Sequence, residues 1–305
     1  MRSYSPIVTG DSAQIDRAVD AMLAARKPVF YVGGGVILAS ACEHLRDLVR
    51  TLGAPVASTL MGLGAFPGTD PLSLGMLGMH GTYEANMAMD GADLVIALGA
   101  RFDDRVTNNP DKFSPKATII HMDIDAASIN KIIDADIPLL GDGAWVLEQL
   151  STRLTQALKS QQKSALKDRE EGLKSWWQQL EYWRAENGLN HNLQAQADKP
   201  ILPQLAIQSL YKVTGGDAFV CSDVGQHQMF AAQYYHFDEP RRWINSGGLG
   251  TMGFGLPSAM GVQMGNPGAT VTCVTGEGSF MMNMQELSTC PVSYTHLRAH
   301  ETDRY

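Results

Sequence analysis

Short runs of unbroken apolar residues, each closing on a glycine or a carboxylate, constrain this chain more than any other feature. "VFYV" stops at Gly33-Gly34-Gly35, "DLVIAL" at Gly99, "ATIIHMDID" at Asp123 to Asp125, "AFVCSD" just before Gly225, and "VTCVT" at Gly276-Glu277-Gly278. A strand that is apolar along its whole length must be covered on both faces, which is the condition of a parallel sheet. Parallel neighbours need a long crossover between them, usually a helix. The intervening stretches fit: Ser12 to Arg26 sets Ile15, Ala18, Val19, Met22 and Leu23 on one helical face. The chain therefore reads as α/β, with a doubly wound parallel sheet followed by the first part of a second α/β unit.

Residues 1–160 account for the first sheet, and the stretch 161–199 breaks the pattern. "KSQQKSALKDREEGLKSWWQQLEYWRAENG" is polar and charged with a stripe of Trp176, Trp177, Leu180 and Trp183. It reads as a helix laying its aromatic side on a domain; a surface for stacking nucleic-acid bases is the alternative, which the acidic balance opposes. The second α/β unit occupies residues 200–290. "PVSYTHLRAHETDRY" (291–305) continues no pattern, and its His296 and His300 lack the acid of a helical metal motif.

Composition removes several functions. Hydrophobic residues make up 44% and charged residues 18% of the 305, a globular balance, and the net charge of −8 gives no pull toward nucleic acid or anionic lipid. The four cysteines form no CxxC pair, so buried reduced thiols are expected rather than disulfides or zinc. No run has the length of a membrane span, and "MRSYSPIVTG" lacks the apolar core of a leader, which makes the cytoplasm the expected location.

Glycine clusters at the carboxyl ends of strands mark where open α/β sheets bind ligands. Gly33 to Gly35 precede a helix, but Leu38 stands where a dinucleotide fingerprint needs its third glycine, so a tight turn is an equal reading. "LGMLGMHGTYEANMAM" places a Gly/Met surface beside His80, suited to a flat apolar ligand, or else His80 is structural. "GARFDDRVTNN" sets Arg101 and Arg105 among Asp103 and Asp104, where guanidiniums can fork onto a pyrophosphate or simply pair with the acids. Asp123 and Asp142 stand at further strand ends as acceptors for sugar hydroxyls.

The second unit carries Gly225, Gln226 and His227 at a strand-to-helix junction, where free N–H groups favour an anion. Five glycines lie between Gly247 and Gly255, around Met252. Glu277 either holds Mg²⁺, with Ser279 and the helix start facing phosphate, or caps the helix.

"YVGGGVI", "MGLGAFPGTDPLSLGMLGMHGTYEAN", "GARFDDRVTN", "VGQHQM", "GGLGTMGFGLPSAMG" and "TGEGSFMMNMQELST" closely resemble the catalytic subunits of acetohydroxyacid synthase (acetolactate synthase), over roughly Ser3 to Cys290. The resemblance implies a thiamine-diphosphate-dependent enzyme whose central domain holds FAD without net redox chemistry. By it, residues 1–160 are that central domain, 161–199 a helical and linker segment, 200–290 part of the pyrophosphate-binding domain, and 291–305 a segment foreign to the gene.

FAD would be lined by Gly33, Gly34, Gly35, Thr59, Leu60, Met61, Leu77, Met79, His80, Gly99, Ala100, Arg101, Asp103, Arg105, Val106, Asp123, Ile124, Asp142 and Gly143. Thiamine diphosphate would meet Gly225, Gln226, His227, Gly250, Met252, Gly276, Glu277, Gly278 and Ser279, with Glu277 on Mg²⁺ in place of the family's usual aspartate. Met252 would hold the cofactor bent.

The resemblance further implies pyruvate and 2-oxobutanoate as substrates, a homodimer or higher oligomer, and a small regulatory subunit. The catalytic glutamate of the family and its second metal-binding residue have no counterpart in these 305 residues, so the chain alone is expected to be inactive. A pyruvate oxidase or glyoxylate carboligase type of flavoprotein, or an inactive FAD-binding module, is the alternative.

Overall fold

The computed structural model describes residues 6–195 and 198–292; of the segment read as foreign, residues 293–305, with His296 and His300, lie outside them. Two compact units, Met1–Leu189 and Asn190–Tyr305, make up the chain.

In the first, the order is α1 (Ser12–Ala24), β1 (Pro28–Val32), α2 (Gly34–Leu38), α3 (Cys42–Leu52), β2 (Val56–Ser58), β3 (Ser73–Met76), α4 (Tyr83–Gly91), β4 (Leu94–Leu98), α5 (Asp104–Thr107), β5 (Thr118–Asp123), β6 (Ile137–Leu140), α6 (Gly143–Ser160) and α7 (Lys163–Asn187). The six strands are all parallel, in the order β3-β2-β1-β4-β5-β6.

Alternation along each strand splits the apolar residues between two cores. Phe30, Val32, Leu94, Ile96, Leu98, Ile120 and Met122 point to the face carrying α1, α3 and α6. Val29, Tyr31, Val95, Ala97 and Ile119 point to the face carrying α4 and α7. The helices answer with a matching stripe: in α3, Cys42, Leu45, Leu48, Val49 and Leu52 are buried, and Gly53 ends the helix in the left-handed conformation at φ +72°.

The strand β3 has no continuous apolar run to announce it. Only alternate residues are buried, Gly75 interrupts it, and its register with β2 shifts between Val56 and Ala57. An edge strand needs one covered face rather than two, so its sequence carries half the signal. The helices α2 and α5, at five and four residues, are too short to show a period.

Aromatic residues fasten α7 to this same unit. Trp176, 1% exposed, donates its indole N–H to the Pro28 carbonyl at 3.1 Å, and Trp177 donates to Gly53 O at 2.9 Å. Arg184 donates to Ser73 O at 2.9 Å, and Arg169 donates to Leu52 O. The helix thereby satisfies carbonyls at the end of α3 and at the starts of β1 and β3, groups that would be costly to bury unpaired. Trp176 meets Trp183 edge to face at 5.8 Å, and a methyl on Gly91 would lie 3.3 Å from the Trp176 ring. With its rings turned inward, the stripe presents no platform for nucleic-acid bases.

The second unit runs α8 (Pro203–Thr214), β7 (Phe219–Ser222), α9 (Gln226–Tyr234), β8 (Trp243–Ile244), α10 (Gly255–Gly265), β9 (Val271–Val274) and α11 (Glu277–Asn283). Its three described strands are parallel in the order β8-β7-β9. Tyr235 locks α8 to the strand start: its hydroxyl accepts from Ala218 N–H at 3.2 Å and shares a 2.8 Å bond with Thr214 Oγ1. All four cysteines are free, and burial pushes the Cys221 and Cys273 thiols up to about 11 and about 12.

Trp176→Ala is expected to destabilise the first unit by about 3–5 kcal/mol, the range for truncating a buried aromatic, read as a lower urea midpoint. Trp177→Phe keeps a ring but loses the bond to Gly53 and is expected to cost about 1 kcal/mol.

Candidate cofactor-binding sites

The strand order reverses direction between β1 and β4, and the loops leaving their carboxyl ends form a crevice of the kind where doubly wound sheets take a ligand. The glycines there serve close approach. Gly33 N–H donates to Leu98 O at 2.9 Å and Gly35 N–H to Gly99 O at 3.1 Å. A Cβ on Gly33 would lie 2.1 Å from Gly99 O, and one on Gly35 2.7 Å from Gly99 Cα. Leu38, at the place of a third fingerprint glycine, is 84% exposed, so nothing there requires a bare backbone.

Adjoining loops continue the rim. Thr59 accepts from Gly62 N–H at 3.0 Å and closes the turn Leu60–Gly62, leaving Met61 44% exposed beside Gly34. Leu77 is bonded to Ser58 O, and Asn86 clamps Gly78 from both sides, at 2.8 Å to its N–H and 2.9 Å to its carbonyl. Met79 N–H donates to Arg105 O at 2.8 Å, which brings Met79 and exposed His80 beside Arg105 and Val106.

Two cations stand over this crevice. Arg101 and Arg105 are 71% and 70% exposed; Arg101 bonds Asp103 at 2.8 Å, and Arg105 lies 3.9 Å from Asp104. Burial pushes the Asp103 carboxyl up, but bonding to Asp104 and the Arg105 N–H, together with both guanidiniums, brings it below its ordinary value. Asp103 is therefore a charged hinge that aims Arg101 and caps α5. The ion pairs with the acids exist, and both guanidiniums remain largely exposed.

Asp123 and Asp142 are partly committed. Asp123 Oδ1 accepts from Asp125 N–H at 2.9 Å, while Ile124 next to it is exposed. Asp142 Oδ1 caps α6 through Ala144 and Trp145, at 3.0 and 3.3 Å. Gly143 has only 3.0 Å between a built Cβ and Ala39, so α6 abuts the end of α2 there.

In the second unit, Gly225 is the residue before α9 and supplies no side-chain cap, leaving N–H groups of the first turn for an anion. A Cβ on it would sit 2.8 Å from the His227 ring. The loop between β8 and α10 passes Gly250 and Gly253 at φ +57° and +86° and reaches α11, where Asn283 donates to Gly253 O at 2.6 Å and Met252 Cε lies 3.4 Å from a Cβ built on Gly278. Glu277 is exposed at the first position of α11 and Gly276 precedes it without a side-chain cap. Ser279 is 2% exposed, and its hydroxyl has no hydrogen-bond partner among the described residues. Bare glycines, an uncapped helix start and an unpaired hydroxyl suit a diphosphate. For a divalent cation the fit is narrower, because the described residues contain no group of three metal-binding side chains.

Asp223 was not singled out from the sequence. It is fully buried, accepts from Thr275 Oγ1 at 2.8 Å, and donates its N–H to Val274 O, tying the end of β7 to the end of β9. A Cβ on Gly255 would fall 2.5 Å from its carboxylate, so the start of α10 closes on the same group. Its only sequence signal is a carboxylate two residues before a strand-end glycine. Asn86 and His121 were missed likewise, since a side chain that clamps backbone elsewhere in the chain looks in sequence like any polar residue.

The thiamine pyrophosphate enzyme central domain matches residues 15–150, and the thiamine pyrophosphate enzyme C-terminal TPP binding domain matches residues 223–293. The second match takes in every residue proposed for the diphosphate and supports thiamine diphosphate as the ligand of that unit. The chain is 56% identical over 289 residues to the acetolactate synthase isozyme 3 large subunit of Escherichia coli (strain K12), covering 95% of this chain and 49% of the relative. It is 51% identical over 290 residues to the acetolactate synthase large subunit of Haemophilus influenzae, covering 95% and 48%. The chain spans about half the length of the curated relatives it matches. Among the described residues, no helix is long and apolar enough to cross a membrane. The chain thus carries the central and C-terminal domains of thiamine pyrophosphate enzymes in succession and is a homologue of acetolactate synthase large subunits.

Proposed function

We propose that this chain is the FAD-holding and diphosphate-holding part of an acetolactate synthase catalytic subunit. The observation that carries the reading is the convergence of Gly225 to His227, Gly250 to Met252 and Gly276 to Ser279 at the carboxyl end of the β8-β7-β9 sheet, inside the matched TPP-binding segment. Thiamine diphosphate, when bound, supplies the electron sink for decarboxylation of a 2-oxo acid. The chain's own residues bind and orient. The α9 start and Ser279 would hold phosphate oxygens, Met252 would support the cofactor, and Glu277 would offer one carboxylate to Mg²⁺.

In the first unit, Arg101 and Arg105 would fork onto the FAD pyrophosphate. Gly33 to Gly35 and Gly99 let the backbone approach it, Met61 and Met79 cover apolar ring surface, and Asp123 accepts from a ribityl or ribose hydroxyl. The whole protein would join the two-carbon unit left by pyruvate to a second pyruvate or to 2-oxobutanoate, with loss of CO2, giving 2-acetolactate or 2-aceto-2-hydroxybutyrate for branched-chain amino-acid synthesis. It would act as a homodimer or higher oligomer with a small regulatory subunit. The free cysteines are consistent with a cytoplasmic setting.

Supplied with FAD, Mg²⁺ and thiamine diphosphate, the protein extended to the length of its relatives is expected to form acetolactate from pyruvate without consuming oxygen. Oxygen uptake coupled to pyruvate loss would instead indicate an oxidase. On the 305-residue chain, Arg101→Ala and Arg105→Ala are each expected to raise the FAD dissociation constant about tenfold, measured by flavin fluorescence; charge-assisted contacts of that strength are the reason. Unchanged affinity in both variants would remove the two guanidiniums from the flavin site.

A further inference from the structure

His121 is a buried ionisable group to which neither proposed site assigns a role. It lies on β5, opposite Ala97 of β4, and is 0% exposed. Its Nε2 is 2.9 Å from the Ala100 carbonyl oxygen. A carbonyl only accepts, so Nε2 carries the proton. Nδ1 is then a bare acceptor, and it has no hydrogen-bond partner among the described residues. The ring stands edge-on to Phe102 at 4.8 Å, and Phe102 meets Tyr31 and Phe113 at 5.3 and 5.8 Å. Phe102 itself adopts a left-handed backbone, φ +54°, uncommon for an aromatic residue, and is 1% exposed. Ala100 and Phe102 flank Arg101, so one imidazole holds both residues that decide where that guanidinium points.

We propose that His121 is a positioning residue: as the neutral Nε2–H tautomer it fixes the Gly99–Phe102 turn and so aims Arg101 at the anionic ligand of the first unit, and its protonation releases that turn. A second proton would have to sit on Nδ1, in a buried site where none of the described residues accepts its hydrogen bond. Asp123, on the same strand, is the charged group that favours the cation. From β1 comes Tyr31, which has Asp103 and Arg101 near its hydroxyl; from β6 comes Pro138; and Phe113 is apolar. Burial outweighs Asp123 and the Ala100 carbonyl, placing the imidazole below its ordinary value. The folded state thus binds fewer protons than the unfolded one. Its stability from the neutral ring is present above about pH 6.5 and is lost as the pH falls below it.

The ligand class rests on the flavin reading above, and the experiment separates the two. FAD is titrated into the 305-residue chain at about pH 7.5 and about pH 5.5, and the wild type is expected to bind several-fold more weakly at the lower pH. His121→Gln retains an amide donor within reach of Ala100 O but does not titrate. It is expected to bind FAD near the wild-type affinity at the upper pH and to lose most of the pH dependence. His121→Phe, without a donor, is expected to bind weakly at both pH values.

Hydrogen exchange of the 99–106 amides, corrected for intrinsic rate and followed without flavin, is expected to accelerate at low pH in the wild type and not in His121→Gln. An unchanged pH slope in His121→Gln, or wild-type affinity in His121→Phe, overturns the inference. If the wild type binds no FAD at any pH, the flavin reading fails. The exchange measurement then decides His121 by itself, equal acceleration in both proteins overturning its role.

Discussion

The first unit depends on one contact between bare backbones. Gly33 and Gly35, leaving β1, lie against Gly99, leaving β4, at distances that no side chain on any of the three could share. That approach lets two parallel strands end at the same level while their connections depart in opposite directions. A crevice opens there, with peptide groups rather than side chains as its floor. Everything proposed for the flavin is arranged around this floor: the Met61 turn rests on Gly34, the Met79 turn bonds to Arg105, and Arg101 rises one residue beyond Ala100. An alanine at Gly33 would displace the β4 loop and all that hangs from it.

The same economy governs the second unit with different chemistry. Here a buried carboxylate does the joining. Asp223 holds Thr275, its backbone reaches Val274, and Gly255 has no side chain because the carboxylate occupies that space. Three segments that meet thiamine diphosphate in the proposed reading therefore share one anchor, which itself is sealed from solvent. In both units most residues offered to a ligand are exposed or bare, while His121 in one and Asp223 in the other, which place them, are fully buried. Ligand-facing groups must stay desolvation-free until binding, whereas clamps gain strength from a low dielectric.

Much of the fold was legible because two-faced burial leaves a continuous apolar run. β1, β4, β5, β7 and β9 were apparent from VFYV, DLVIAL, TIIHMD, FVCS and VTCV, and the amphipathic stripes of α1 and α3 were equally plain. β3 was not, because SLGM buries alternate residues only, at a sheet edge. The aromatic stripe of α7 announced a docking face but not its targets, which are carbonyls of residues 28, 52, 53 and 73, up to 148 positions away. Candidate ligand residues were legible for a related reason: glycines and paired charges at strand ends are expensive to keep without a use.

What the sequence alone determined is the class of fold, the order of its strands' carboxyl-end motifs and the residue types available to a phosphate, since these follow from local hydrophobicity, glycine and charge. Only the tertiary structure decided which polar residues are clamps. Asp223, Asn86 and His121 acquire their roles from a carbonyl, a hydroxyl or a missing Cβ contributed by distant segments. A buried hydrogen bond is a property of a pair in space, and nothing in the local chemistry of either partner encodes the other.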